Sequence, residues 1–419
     1  MSSMSDQPDT KPATGQMHGL AHFLGIAQIC SYGTIYYSFP LIVVAMQREL
    51  GWSKSDVYGA LTIGLLLAAA LAYPVGLAID RGYGRRVMVW CSLAAAGLFI
   101  AWSFVDSLFI YYLIAAAMGS LQAAILYESA FALLARRVGP QHSRPGITTI
   151  TLWAGFASTV FIPLEQFLLD GWGWRASLWV LALVNVVCAA GYWRWIKPEL
   201  DAVNGPHTTS KAENIARDKG VVHDALRSSV FWLLLIALTT YSMVFSVFTF
   251  HMYPMLLDKQ IPTTEVVLAI SVIGPAQVLG RIIISRFAQR TSMRTLGSIV
   301  LSIFPFVFAT FLLDSLTFQL VAALFGIYGL ANGIFTIVRS QVVPEMLSQH
   351  AYGALNGLIT VPTIIARAIG PVVAAWLWAI DESYDIVLVA QVAAAVLLTA
   401  LFWTACWASR RQPIKNEPL

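Results

Sequence analysis

Ionisable side chains within long apolar stretches are the residues of this sequence most able to bind a charged ligand. Arg281, Arg367 and Glu128 each lie inside a different apolar stretch. An arginine can hold a carboxylate through two parallel hydrogen bonds, and it stays charged at any pH of interest. A charged group at the centre of a membrane helix costs about 2.5–3.5 kcal/mol, so such groups are functional candidates by default.

The two arginines suggest a site for an anionic ligand. Gln277 lies one helical turn before Arg281, so both side chains share a helix face and could share the ligand. Two facing cations in one cavity, Arg281 and Arg367, would suit an organic anion. The alternative is that each arginine pairs with a protein carboxylate, Glu128 among them, or with helix carbonyls.

Proton-coupling candidates come from the remaining buried titratable groups. As a buried carboxyl group, Glu128 could be protonated near neutral pH, which would suit proton coupling, or it could equally be a fixed partner for a buried arginine. His251, shortly before Pro254, could sense protons or serve as a hydrogen-bonded interfacial side chain. The same two alternatives apply to Glu165, near the end of the fifth apolar stretch.

The composition places these residues in a membrane. The chain has 419 residues, of which 58% are hydrophobic and 11% charged. Soluble domains carry about 25% charged residues, so this much apolar surface requires lipid. The net charge of +4 is spread over short loops, which excludes a nucleic-acid surface. The four cysteines form no C-x-x-C pair, and the sequence holds no nucleotide-binding loop or catalytic constellation, so we expect no metal, no cofactor and no enzyme.

Twelve apolar runs are long enough to cross a membrane. They lie near 19–46, 55–79, 87–104, 108–135, 146–169, 175–196, 229–256, 264–288, 295–313, 316–341, 352–379 and 384–408. We therefore predict an all-α membrane protein with twelve transmembrane helices in two six-helix bundles. The predicted parts are a tail over 1–17, an N-terminal bundle over 18–197, a linker over 198–228, a C-terminal bundle over 229–409 and a tail over 410–419.

The distribution of Lys and Arg predicts the orientation, because basic loops stay in the cytoplasm. One side has the basic residues Arg81, Arg85, Arg86, Arg136, Arg137, Arg144, Lys197, Arg217, Lys219, Arg227, Arg286, Arg290, Arg294, Arg410 and Arg411. The opposite loops have only Arg48, Lys54, Arg175 and Lys259. We expect both tails and the linker in the cytoplasm, and the chain in the cytoplasmic (inner) membrane.

The loop between the second and third runs contains a motif with conformational roles. It reads Gly76-Leu77-Ala78-Ile79-Asp80-Arg81-Gly82-Tyr83-Gly84-Arg85-Arg86. We expect Gly76 to permit close helix approach, and Gly82 and Gly84 to permit a tight turn. Asp80 could accept hydrogen bonds from an arginine, and Arg81 and Arg85 hold the loop in the cytoplasm. Arg339, near the cytoplasmic end of the tenth run, could line the inner gate. Two pairs of glycines, Gly329 with Gly333 and Gly353 with Gly357, have the small-residue spacing that lets helices approach.

This loop resembles the G-x-L-x-D-R-x-G-R-R signature of the major facilitator superfamily. A degenerate copy at 285–294, half a chain later, is what a duplicated six-helix unit predicts. Gly51-Trp52-Ser53 and the arginine of the eighth run also look like the monocarboxylate and oxalate–formate transporter branch. That resemblance implies a substrate-binding role for Arg281, and for Arg367 in the eleventh run.

The resemblance implies a monomeric secondary transporter that works by alternating access. We expect its substrate to be a small organic anion such as a monocarboxylate, and protons are a candidate coupling ion in symport or antiport. An importer or exporter of a vitamin, an aromatic compound or a drug is the alternative, with the arginines in structural pairs. A membrane scaffold or receptor that transports nothing is a third hypothesis.

Overall fold

The computed structural model of the protein describes residues 14–138, 143–197, 223–287, 291–347 and 352–411, and all regular elements in these ranges are helical. The first half contains α1 (Thr14–Tyr32), α2 (Phe39–Leu50), α3 (Lys54–Ala78), α4 (Gly84–Ser103), α5 (Leu108–Ile125), α6 (Tyr127–Val138), α7 (Ser143–Ala154) and α8 (Ala157–Trp195). Two short π-helical segments, Gly33–Tyr37 and Ile79–Tyr83, join α1 to α2 and α3 to α4.

The second half contains α9 (223–227), α10 (Ser229–Asp258), α11 (Thr263–Ser271), α12 (Ile273–Phe287), α13 (Met293–Thr310), α14 (Phe318–Met346), α15 (Tyr352–Asp381) and α16 (Asp385–Arg411). Most of the predicted tails and linker (1–13, 198–222 and 412–419) lies outside the described residues. Helix α1 begins at Thr14, so the end of the predicted N-terminal tail is helical.

Ten helical stretches in the described ranges are long and apolar enough to cross a membrane. Two of them, Lys54–Ser103 and Pro145–Trp195, have 50 and 51 residues. A straight helix of that length would span about 75 Å, more than twice a hydrocarbon core of about 30 Å. Each contains a glycine with non-helical dihedral angles, Gly82 (φ 91°) and Gly173 (φ 76°). Counting each stretch as two gives twelve passes, a number that stays a prediction.

The helices pack in two groups that meet along a small number of helix pairs. In the first half, α3 packs on α5, α4 on α8, and α1 on α7. In the second half, α10 packs on α15 and α16, and α12 and α13 pack on α14. The halves meet where α3 contacts α15, α2 contacts α10, and α8 contacts α11 and α12.

Glycines set the closest helix approaches. A Cβ atom added to Gly333 of α14 would lie 2.2 Å from the carbonyl oxygen of Gln277 in α12, and Gly329 makes a similar contact. This confirms the small-residue spacing as a packing device. Gly119 of α5 approaches Gly64 of α3 equally closely, which we did not predict. Gly357 has no atom within 4 Å of an added Cβ, so this glycine makes no close helix contact.

The loop between α3 and α4 only partly follows its prediction. Gly82 has the positive φ of a tight turn, as expected. Gly84 has a right-handed helical conformation and lies against α6, where an added Cβ would be 2.8 Å from the Leu133 side chain. Gly84 therefore serves helix approach and not the turn. Gly76 was expected to serve that approach, but it has no neighbour within 4 Å of an added Cβ, so this prediction was wrong.

Charged residues mark the two ends of the helix assembly. We call the end that carries Arg81, Arg86 and Arg286 the basic end, and the opposite end, with Glu49 and Lys259, the distal end. Ion pairs at the distal end join Arg175 to Glu49 and Asp106, and Lys259 to Asp385. These pairs are largely exposed, so they contribute little to stability.

Candidate functional site

Arg281 links the two halves of the molecule near the middle of α12. Its Nη1 donates a hydrogen bond to the carbonyl oxygen of Thr151 in α7. Gly155 leaves room for this contact, since a Cβ atom added there would lie 3.5 Å from Nη1. The Nε of Arg281 is buried and has no hydrogen-bond partner in the part of the chain that is described. The partner of Arg281 is thus a helix carbonyl, with further N–H groups left for a ligand.

Arg367 lies in α15 and faces aromatic rings from both halves. Its guanidinium carbon is 5.4 Å from the ring centre of Tyr36 and 5.8 Å from that of Phe245. Ser246 of α10 donates to the Arg367 carbonyl at 2.6 Å, which holds the helix in place. The Nε of Arg367 and the hydroxyl of Tyr36 are buried, and neither has a hydrogen-bond partner among the described residues. Buried polar groups without partners are expected where a ligand binds.

Arginines of the second half contribute to the electrostatic surroundings of two tyrosines. Tyr241 of α10 lies within electrostatic range of Arg281, Arg339 and Arg367, and Tyr37 lies within range of Arg281 and Arg367. Neither Arg281 nor Arg367 forms an ion pair with a carboxylate in the described ranges. The structural pairing with Glu128 that the sequence left open is therefore not observed. Arg339, predicted at the inner gate, lies within electrostatic range of Tyr241, and its gating role stays a prediction.

Tyrosines complete the site, and sequence reasoning missed them. Tyr127 of α6 lies beside Arg281, and its ring centre is 4.6 Å from that of Tyr32 in α1. The π-helical segment places Tyr36 against the Phe250 ring at 4.6 Å, and Tyr241 donates its hydroxyl hydrogen to Asn332. The available signal was the polar and aromatic run at 31–38, which is unusual in a membrane helix.

Gln277 and Glu128 differ in how well they follow their predictions. Gln277 is one turn from Arg281 as expected, but it is only 7% exposed and its side chain forms no hydrogen bond within the described ranges. Glu128 is exposed, although we expected a buried carboxyl. The reason is a helix break at Leu126, whose ψ of −164° redirects α6 relative to α5. Glu128 still lies within electrostatic range of Arg367, so it faces the region of the site.

His251 is part of a closed contact between the halves. It is buried, its Nε2 donates to the Pro371 carbonyl at 2.8 Å, and its Nδ1 accepts from the Tyr384 hydroxyl at 3.0 Å. Its ring stacks on Tyr58 of the first half at 4.2 Å. Both ring nitrogens are occupied, so the geometry favours a fixed contact, and the proton-coupling role stays a prediction.

Other hydrogen bonds between the halves also lie in the middle or toward the distal end. They join Tyr58 to the Phe250 carbonyl (2.9 Å), Thr62 to the Ala368 carbonyl (2.9 Å), Thr159 to the Ser271 carbonyl (2.8 Å) and Tyr253 to Gln166 (2.7 Å). Lys54 of the first half lies 3.2 Å from the ring centre of Trp378 in the second. The described contacts therefore close the molecule at its distal end.

The predicted gating residues at the basic end lie at contacts between helices of the first half. The backbone carbonyl of Asp80 accepts a hydrogen bond from Arg136, while its carboxylate is exposed. The guanidinium of Arg85 stacks on Trp193 of α8 at 3.8 Å, and Arg81 is exposed. The loop is thus fastened to α6 and α8, and its conformational role stays a prediction.

Comparisons with known proteins agree with this architecture. The sequence pattern of the Major Facilitator Superfamily matches residues 24–326. Monocarboxylate transporter 4 of Rattus norvegicus is 23% identical over 410 residues, covering 91% of this chain and 83% of that protein. Monocarboxylate transporter 13 of Bos taurus is 24% identical, covering 84% of this chain and 79% of that protein.

Solved structures share the fold at low sequence identity. The nucleoside transporter NupG superimposes with a TM-score of 0.71 at 14% identity, over 93% of this chain and 98% of that one. A bacterial homologue of the human lysosomal transporter Spinster, in an inward-facing and unoccupied conformation, superimposes with a TM-score of 0.72 at 12% identity, over 97% and 100%. The family match covers more than half of the sequence. The chain therefore belongs to the major facilitator superfamily, and the protein is a membrane transporter and not an enzyme.

Proposed function

We propose that the protein is a secondary active transporter of a small organic anion, such as a monocarboxylate. The observation that carries this proposal is the position of two guanidinium groups where the halves meet, with Arg281 on the Thr151 carbonyl and Arg367 over the Tyr36 ring. Arg281 and Arg367 have no carboxylate partner among the described residues, and each has a buried Nε without a hydrogen bond. A bound carboxylate would supply both the missing charge and the missing acceptors.

The aromatic rings suit the organic part of such a ligand. Binding sites for small molecules combine mostly apolar walls with a few placed polar groups. Here Tyr36 and Phe245 flank Arg367, and Tyr32 and Tyr127 stand near Arg281. The monocarboxylate transporters that the chain resembles are named for substrates of this class.

Alternating access would occur by rocking of the two halves about this site. The distal contacts of His251 and Tyr58 would break when the site opens to the distal side, and the Arg281 contact with Thr151 would change as well. We propose that the basic end faces the cytoplasm, that both termini are cytoplasmic, and that the chain lies in the inner membrane. With no nucleotide-binding motif, energy would come from a proton gradient or from exchange.

A neutral aromatic compound, vitamin or drug is the second candidate. The observation that favours it is the density of rings, because Tyr32, Tyr36, Tyr127 and Phe245 could hold a planar ligand without any anionic group. In that case the arginines would stabilise the protein or the empty site. The two candidates differ in whether binding requires a negative charge.

Matched pairs of ligands separate the two candidates. Purified protein is mixed with benzoate or benzamide, and with lactate or lactamide, and thermal unfolding and counterflow in proteoliposomes are measured. We expect carboxylates to stabilise the protein and to exchange across the membrane, and their neutral amides to do neither. Equal binding of a carboxylate and its amide would reject the anion proposal and favour the second candidate.

A further inference from the structure

Glu165 is a membrane carboxyl group that lies apart from the arginine site. It follows Pro163 in α8 and is 0% exposed. Neither of its carboxylate oxygens has a hydrogen-bond partner among the described residues. An ionised carboxylate without a cation or donor is among the most costly groups to bury, so its chemical form needs an explanation.

The hydroxyl groups next to Glu165 indicate that form. Ser38 and Ser177 lie beside the carboxyl group. The Ser38 hydroxyl donates its single hydrogen to the Gly33 carbonyl at 2.9 Å, and the Ser177 hydroxyl donates to the Trp174 carbonyl at 2.9 Å. Both hydroxyl hydrogens are therefore engaged by helix carbonyls, and neither hydroxyl donates to Glu165. A buried carboxyl group that receives no hydrogen bond and faces no cation is more stable in its protonated form.

No charged group compensates Glu165 within the described part of the molecule. Arg175 in the same helix is engaged by Glu49 and Asp106 at the distal end. Arg281 donates to the Thr151 carbonyl of α7 and forms no hydrogen bond with Glu165. The other ionisable side chains described on the elements that pack against α8 are His22, Cys30, Tyr32, Tyr36, Tyr37, Arg48, Arg85, Arg86, Cys91, Glu265 and Arg286. None of these residues forms a hydrogen bond or ion pair with Glu165.

We propose that Glu165 is the proton-binding site of this transporter, protonated in the conformation described and deprotonated in another conformation of the cycle. The proton moves between the carboxyl oxygen and water when the surrounding helices separate, and no other bond changes. This proposal deepens the proposed function, because it names the coupling ion and the residue that carries it.

The π-helical segment Gly33–Tyr37 connects this carboxyl group to the arginine site. Phe161, one turn before Glu165, packs so closely on Gly33 that a Cβ atom there would lie 2.0 Å from its ring. Ser38 ends the segment, and Tyr36 within it lies against Arg367. Ionised Glu165 would draw the Ser38 hydrogen away from the Gly33 carbonyl and loosen the segment. Protonation of Glu165 and substrate binding at Arg367 would therefore both act on the segment Gly33–Tyr37. A shared segment of this kind would couple proton binding to substrate binding.

Infrared spectroscopy tests the protonated state without any substrate. Purified wild-type protein at neutral pH should show the C=O stretching band of a buried carboxylic acid. Glu165→Gln, a neutral variant of the same shape, should lack that band. Asp170→Asn is the matched control, since Asp170 is an exposed acid in the same helix, and it should keep the band. An unchanged band in Glu165→Gln would overturn the proposal.

Transport assays test the coupling. In proteoliposomes, wild type should accumulate labelled lactate or benzoate when a pH gradient is imposed. Glu165→Gln should lose this accumulation and keep counterflow, which needs no net proton movement. Accumulation equal to wild type, or loss of counterflow in a variant that still binds the carboxylate, would overturn the assignment. If wild type carries no carboxylate, the proposed function fails, and the infrared result still decides the state of Glu165.

Discussion

Substitution of Arg367 probes the anion site most sharply, because this side chain forms no ion pair with a carboxylate in the described ranges. Its guanidinium lies 5.4 Å from the Tyr36 ring centre and 5.8 Å from the Phe245 ring centre. Lysine keeps the charge but loses the planar fork that allows two parallel hydrogen bonds. Loss of one charge-assisted hydrogen bond costs about 1.5–3 kcal/mol. Arg367→Lys should therefore weaken carboxylate binding about ten- to a hundred-fold.

Arg367→Gln should weaken binding further, because it removes the charge as well as the fork. It should leave the thermal stability of the ligand-free protein close to wild type, since no buried carboxylate would be left unpaired. The assay is equilibrium binding of a labelled carboxylate to purified protein, with Arg48→Lys and Arg48→Gln at the exposed distal end of α2 as controls. Unchanged affinity in folded Arg367→Gln would refute the reasoning, and so would an equal loss in the controls.

Three further predictions concern packing and conformation. Gly119→Val should lower the free energy of unfolding by about 1–3 kcal/mol in a thermal unfolding measurement, because a Cβ atom added there would lie 2.2 Å from the backbone of α3. Gly97→Ala is the control and should have little effect, because no atom lies within 4 Å of a Cβ added there. Tyr384→Phe removes the hydrogen bond to His251 and should shift the population toward a distal-open state by about 0.5–1.5 kcal/mol, measured as spin-label distances across the distal end. Asp80→Asn should slow transport and leave substrate affinity unchanged, because the Asp80 carboxylate is exposed at the basic end. A normal transport rate at normal expression would count against a conformational role for Asp80.

The sequence was sufficient to predict the all-helical membrane fold, and it identified the two arginines that we propose for the site. Apolar runs of membrane length, the long polar connection and the loop motif were visible without a structure, and Arg281 and Arg367 stood out because charge is rare in such runs. The close contact at Gly329 and Gly333 followed from small residues spaced by four.

Side-chain direction could not be predicted in the same way. In a membrane helix, lipid and bundle interior both accept apolar residues, so periodicity does not show which face meets the other half. The break at Leu126 that exposes Glu128 and the missing neighbour of Gly76 had no signal in the sequence. The Thr151 carbonyl that binds Arg281 could not be predicted either, because a backbone acceptor has no side chain to recognise.

Counterflow of a labelled carboxylate into proteoliposomes that contain only purified protein tests the central claim most directly. The wild-type protein, loaded with unlabelled carboxylate and without ATP, should take up the label in a saturable manner. The Arg281→Gln, Arg367→Gln double variant should insert normally and take up none. Uptake of the carboxylate at the same rate and affinity by the double variant, or exchange of neutral compounds alone by the wild type, would contradict the account.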